Sequence, residues 1–184
     1  PILLLKTFAI TLIPIGLSAL LGGFVLSSYG LVTFNEGWVS IVIGSLIGNV
    51  SILPIGILVL AYGWTGFIKA NQAFGFLMSI LLALAVALVS FAYLPFPFIY
   101  ISASLILVAL VGGFASTAIA VLAYSIIIGT FTTIGFFHDS LQNIHHTNDI
   151  YIYLPLVITL LQPLILAAAI ERNRKHNKTN NINV

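Results

Sequence analysis

The chain has 184 residues, 60% of them hydrophobic and 5% charged, with no cysteine and a formal net charge of +2; its mean hydropathy is +1.18. A soluble globular domain carries about a quarter charged residues, so these residues cannot furnish a water-facing surface, and a bilayer-embedded chain is expected. The absent thiols exclude disulfides, zinc-thiolate centres and cysteine nucleophiles, and four of the six basic residues, Arg172, Arg174, Lys175 and Lys178, sit together beside the last apolar run, which reads as a membrane-orientation signal and not as a nucleic-acid site.

Crossing a hydrocarbon core about 30 Å thick takes about 20 helical residues. In chain order the apolar runs predict six spans, 3–26, 37–62, 73–92, 95–111, 114–136 and 150–170, within one integral-membrane domain over residues 1–171. The first carries Lys6 near its start and Pro14 inside, and the polar turn Ser27-Ser28-Tyr29-Gly30 follows it. The second opens on Trp38, has Gly44 and Gly48 four apart, holds Asn49 near its middle and meets Pro54. A polar connector, Gly63 to Gln72 with Lys69, leads to the third; the fourth, the shortest, starts at Leu94-Pro95-Phe96-Pro97. Gly112 and Gly113 permit a tight hairpin into the fifth, and a more polar loop, Phe137 to Asp149, precedes the sixth. Residues 172–184 read as a basic, asparagine-rich cytoplasmic tail or linker.

These runs are continuously apolar, where a membrane barrel would alternate apolar and polar residues. Helices also satisfy every backbone group internally. The fold class expected is therefore all-α, a polytopic transmembrane helical bundle of about six spans. Placing the C-terminal basic cluster in the cytoplasm puts Lys6 and Lys69 on that side too, and puts Glu36, Asp139 and Asp149 outside. The expected location is the cell inner (plasma) membrane, multi-pass, with both ends of this chain cytoplasmic. The chain opens on Pro1 without a methionine or a charged leader region, so no cleavable signal peptide is visible, and a fragment of something longer fits that start.

No charged residue lies at the centre of a span, which argues against a proton-coupled pump built on a buried carboxylate. Gly44 and Gly48 form a small-xxx-small pair suited to close helix approach, with Ser45 and Asn49 beside that seam. Trp38, Ser45, Asn49 and Gln162 are the candidates for ligand binding or packing, with packing the plainer account. Ser18 and Gln162 stand at a depth where either could partner Asn49. Trp38 with Tyr29, Tyr93, Tyr100, Tyr151 and Tyr153 also fits an aromatic belt at the headgroups.

The outer side offers sensing candidates in Glu36, His138, Asp139, His145, His146 and Asp149. Three histidines in one loop could converge on a metal ion or titrate near neutral pH, yet their spacing matches no ligand pattern, and a solvated polar loop is the plainer account. No metal or cofactor is assigned. No phosphate-cradling loop, nucleophile elbow or catalytic triad is visible, so no enzymatic activity is expected.

The order Trp38, Gly44, Ser45, Gly48, Pro54 is similar to a tryptophan followed by Gly-Asp-x-x-Gly and a later proline, with Ser45 where the acid usually stands. The Leu94 to Pro97 turn, the Gly129-Thr130 and Gly135 ending, and Ala167, Ala168, Ala169, Glu171 and Arg172 follow in the same order, while Ile101 and Leu105 replace a tryptophan and an arginine. In these features the chain resembles the membrane-associated sensor domains of the first MASE class, the input domains of histidine kinases and diguanylate cyclases, over about 37–172. The resemblance implies that the first two spans of such a domain are lacking here, and that the last helix carries a signal into the cytoplasm, in two-component or cyclic di-GMP signalling.

The function expected is thus an integral-membrane sensory input domain passing an extracytoplasmic or in-membrane stimulus to a cytoplasmic output. Its partners would be the lipid bilayer, a cytoplasmic signalling domain or partner membrane protein, and a second copy in a homodimer. Two other classes stand beside it: a small substrate-binding subunit of a membrane importer, and a structural subunit of a membrane complex.

Overall fold

The computed structural model describes residues 2–70, 73–94, 97–134 and 150–182. Among the described residues there are five helices and no strand: α1 (Ile2–Ser28), α2 (Phe34–Ala70), α3 (Ala73–Tyr93), α4 (Pro97–Ile134) and α5 (Ile150–Ile182). Long apolar runs dictate this outcome, because a helix closes its backbone hydrogen bonds within its own segment where no water is at hand. Four stretches are long and apolar enough to cross a membrane, Lys6–Ser28, Phe34–Gly66, Pro97–Phe131 and Pro155–Arg174; Ile80–Tyr93 is apolar but shorter.

Local chemistry sets the helix ends. After α1, Gly30 takes a positive φ of 68°, and the amides of Gly30 and Leu31 donate to the carbonyls of Ser27 (3.0 Å) and Leu26 (3.1 Å). This is a Schellman ending, which occupies carbonyls the helix leaves open. Three residues on, Thr33 and Glu36 form a reciprocal cap on α2. The Glu36 amide donates to Thr33 Oγ1 at 3.4 Å, and the Glu36 carboxylate accepts from the Thr33 amide (3.1 Å) and hydroxyl (2.8 Å).

α4 is not one rod. Gly113 (φ 73°, ψ −167°) interrupts it, and Ser104 Oγ lies 2.5 Å from the Tyr124 hydroxyl. Twenty residues of continuous helix would hold those two positions about 30 Å apart. The arms 97–112 and 114–134 therefore run antiparallel, folded at the Gly112–Gly113 pair. α2 is also interrupted, at Gly63 (φ 68°, ψ 168°), but its backbone stays helical from there to Ala70, where the sequence reads as a polar connector.

The α4 hairpin is the centre of the bundle. α3, α5 and α2 pack on it, α5 also meets α2, and α1 lies against α2. The core is built from Phe91 of α3, Ile101, Leu105, Val121 and Tyr124 of α4, Leu156 and Leu160 of α5, and Val50 of α2. Phe91 stands edge-on to Phe98 and Phe131, with ring centroids 6.2 Å and 5.7 Å away. Two hydroxyl pairs, Ser104–Tyr124 and Ser51–Ser125 (2.5 Å), fasten the two arms of α4 to each other and to α2. On the outside, Ile13, Leu21, Phe24, Leu60 and Val111 are exposed, a surface that lipid covers without cost.

The close approach of α1 to α2 differs from the expectation. A side chain at Gly44 or Gly48 would meet nothing within 4 Å, whereas a Cβ on Gly23 would stand 2.9 Å from the Trp38 amide nitrogen. One on Gly37 would stand 3.1 Å from Val32 and 3.4 Å from Gly23 Cα. The physical reason is the connection. Five residues, 29–33, bring the chain from α1 into α2, so the two backbones are forced together next to that turn, and there both need residues without a side chain.

Candidate functional site: the groove between α1 and α2

Beyond the tight contact at Gly23, α1 and α2 lie side by side in a constant antiparallel register: Gly23 faces Trp38, and Asn49 Nδ2 donates to Thr11 Oγ1. Where α2 presents Gly48 and Gly56 the backbone is bare, and a cavity of about 570 Å³ opens between the helices. Thr11 and Pro14 line it from α1; Ser45, Asn49, Ile52 and Leu60 line it from α2, with Gly48 and Gly56 between them. The wall is mostly carbon, and its polar groups are neutral. Such a composition suits an uncharged, largely apolar occupant held by a few directed hydrogen bonds.

The helix geometry explains why Ser45 and Asn49 meet here. They are four residues apart, one turn, and so share a face of α2. Asn49 is 13 positions from both Glu36 and Tyr62, about 20 Å along the helix in either direction. The site therefore sits at mid-span.

The other sequence candidates fall elsewhere. Trp38 packs across Gly23 at the far end of the same seam. Gln162 is exposed on α5 and is not among the residues lining the groove. Asn49 is partnered by Thr11 rather than by Ser18 or Gln162, and Ser18 turns its hydroxyl back to its own helix, on the Ile15 carbonyl at 3.0 Å. Glu36 is engaged in the α2 cap with Thr33. His138, Asp139, His145, His146 and Asp149 lie in 135–149, outside the described residues, and the three-histidine metal reading lies there with them.

Two contacts carry no strong sequence signal. Thr11 is an ordinary threonine in an apolar run, and only the register of α1 on α2 makes it the partner of Asn49. Arg174 reads as one of a basic cluster, yet its Nη2 donates to the Leu110 carbonyl at 3.1 Å. That carbonyl belongs to the last turn of the arm 97–112, just before the Gly113 interruption, and a cation there complements the helix dipole. The outgoing end of α5 is thereby held to the fold of α4.

Comparison of the chain with protein-family models, with curated proteins and with solved structures finds no match to any of them.

Proposed function

We propose that this chain is a non-enzymatic sensory input module of the inner (plasma) membrane that passes an in-membrane stimulus to a cytoplasmic output through α5. The observation that carries the reading is the continuity of α5. It is one helix of 33 residues, about 50 Å long, and its apolar part ends at Arg174 while the helix runs on to Ile182. A rod that begins against the bundle core and continues past the hydrocarbon is the element able to transmit a shift or rotation. Arg174 adds to this, since it ties the rod to the Gly113 fold at the point of exit.

The reading takes the bundle as six crossings, counting the two arms of α4 separately and α3 as one. With that count, Lys6, Lys69, the Gly113 fold and Arg172 to Lys178 share a side and Glu36 lies opposite, a distribution that favours the basic side as cytoplasmic. The Arg174–Leu110 bond supports it, because it requires the end of α5 and the fold of α4 to be at the same face.

The test is a helix-phase series. One to four alanines are inserted after Lys178 in the chain joined to its output domain or to a reporter kinase. Each insertion turns everything beyond it by about 100°. The sensory reading expects output to vary with the period of the helix, recovering near three to four inserted residues. Output indifferent to insertion number overturns it and leaves a structural subunit. The open groove favours one second reading, a substrate-binding subunit of an importer, for which uptake into vesicles, and not signalling, would fail on groove substitutions.

A further inference from the structure

The groove between α1 and α2 holds hydrogen-bonding capacity that this chain does not use. Thr11 gives its hydroxyl proton to the Phe8 carbonyl at 2.7 Å, so toward Asn49 it can only accept. The amide nitrogen of Asn49 must therefore face it, as it does, and this leaves the Asn49 carbonyl oxygen and its second N–H unspent. Ser45, one turn earlier on the same face, makes no hydrogen bond to any described residue, although a helical serine ordinarily turns back to a carbonyl in the preceding turn, as Ser18 (3.0 Å) and Ser28 (2.7 Å) do here. Both groups open into the groove.

Their depth decides what can meet them. At about 20 Å from either end of the span, phospholipid headgroups are out of reach, and an acyl chain at that level has neither donor nor acceptor. We infer that the groove binds a neutral, membrane-dissolved alcohol or phenol, whose hydroxyl sits between Asn49 and Ser45 and whose apolar body lies along Pro14, Ile52 and Leu60. A hydroxyl fits both partners at once, donating to the Asn49 carbonyl oxygen and accepting from Ser45 or the spare amide N–H. A carboxylate or ammonium would enter this depth only at the cost of losing its hydration, with no charge to meet it. The volume, about 570 Å³, lies within the usual range of small-molecule sites, about 300–1,000 Å³. The bare backbone of Gly48 and Gly56 is what provides it, since a Cβ at either would meet nothing within 4 Å.

The assignment rests on the sensory reading only for its consequence, by making the groove the stimulus site. Binding is tested on the 184-residue chain in lipid nanodiscs with two photoreactive probes, a long-chain alcohol carrying a mid-chain diazirine and the same hydrocarbon without the hydroxyl. Labelled peptides are identified by mass spectrometry. The alcohol is expected to label the α1 and α2 peptides at least tenfold more than the hydrocarbon. Asn49→Leu with Ser45→Ala should bring the alcohol down to the hydrocarbon level, and Gly56→Leu, which fills open space and should leave the fold intact, should remove the labelling by both. Equal labelling by the two probes overturns the inference and leaves a lipid-filled groove; alcohol labelling that survives the double substitution overturns it as well. The chain has no cysteine, so a single Gly48→Cys, at a position that lines the groove, gives a clean reading of a second copy there, and disulfide dimers abolished by Gly56→Leu would replace the alcohol with a helix. A failed probe experiment leaves the α5 insertion series standing, and a failed insertion series leaves the binding result standing.

Discussion

Gly113→Ala tests the feature on which the topology depends. At φ 73° and ψ −167°, Gly113 occupies a region that residues with a Cβ reach at a cost of about 1–3 kcal/mol. A Cβ there would meet nothing within 4 Å, so the cost is purely conformational and cannot be blamed on a clash. Against it stands the smaller entropy of the unfolded alanine chain, about 0.4–1 kcal/mol in favour of the variant. The net expectation is a loss of about 1–2 kcal/mol, a factor of about 5–30 in the ratio of folded to unfolded protein. Gly44→Ala is the matched control: it also adds a Cβ into open space, but within regular helix, and should be neutral or stabilising by up to about 1 kcal/mol. Straightening α4 offers no escape, because 38 residues of unbroken helix would be about 57 Å long, far beyond a core of about 30 Å, and would part Tyr124 from Ser104. Reversible unfolding in mixed detergent micelles, followed by circular dichroism, measures both variants. Equal stability of Gly113→Ala and Gly44→Ala would refute the reasoning, since it would mean that the chain passes residue 113 as ordinary helix.

Two further predictions follow from the same contacts. Gly23→Ala places a Cβ 2.9 Å from the Trp38 nitrogen, against backbone that cannot rotate away, and should cost about 1–3 kcal/mol and shift Trp38 emission in a Trp64→Phe background; an unchanged spectrum and stability would show that the α1–α2 seam is loose. Tyr124→Phe removes one interhelical hydroxyl contact at mid-depth, of a kind worth about 0.6 and at most about 1.7 kcal/mol. Because Ser104 keeps its bond to the Ile101 carbonyl at 2.9 Å, the same unfolding measurement should give a value near the lower figure, and a loss above about 2 kcal/mol would be inconsistent with that contact geometry.

What the sequence made legible is what depends on one dimension. Continuous apolar runs specify helices, and Gly112–Gly113 between two such runs specifies the fold-back that Ser104 and Tyr124 then close. The Thr33-x-x-Glu36 spacing is a capping signature, and it explains Glu36 more directly than its position in an outer loop does. What the sequence left open is which face of each helix meets which neighbour. These helices are apolar all round, so no polar stripe marks an inner side, and the small-residue pattern at Gly44 and Gly48 points to a seam that the short α1–α2 connection places instead at Gly23 and Gly37. That shift in turn chooses Thr11 as the partner of Asn49. His138, His145 and His146 lie in 135–149, outside the described residues.

The position of the groove relative to the hub bears on how a bound molecule would be felt at α5. α1 packs chiefly on α2, while α2 packs in turn on α4 and α5, so α2 is the element through which a change at the groove reaches them. Two residues of α2 define that passage. Asn49 faces the groove through Thr11, and Ser51 faces the core through Ser125; two positions along a helix they point about 160° apart. A rotation of α2 that brings Asn49 toward a ligand must therefore turn Ser51 against Ser125 of α4, the element on which α5 packs. A translation of α1 alone disturbs neither. The proposed input module consequently requires rotation or tilt of α2, and a ligand that only pushes α1 outward would bind without producing a signal.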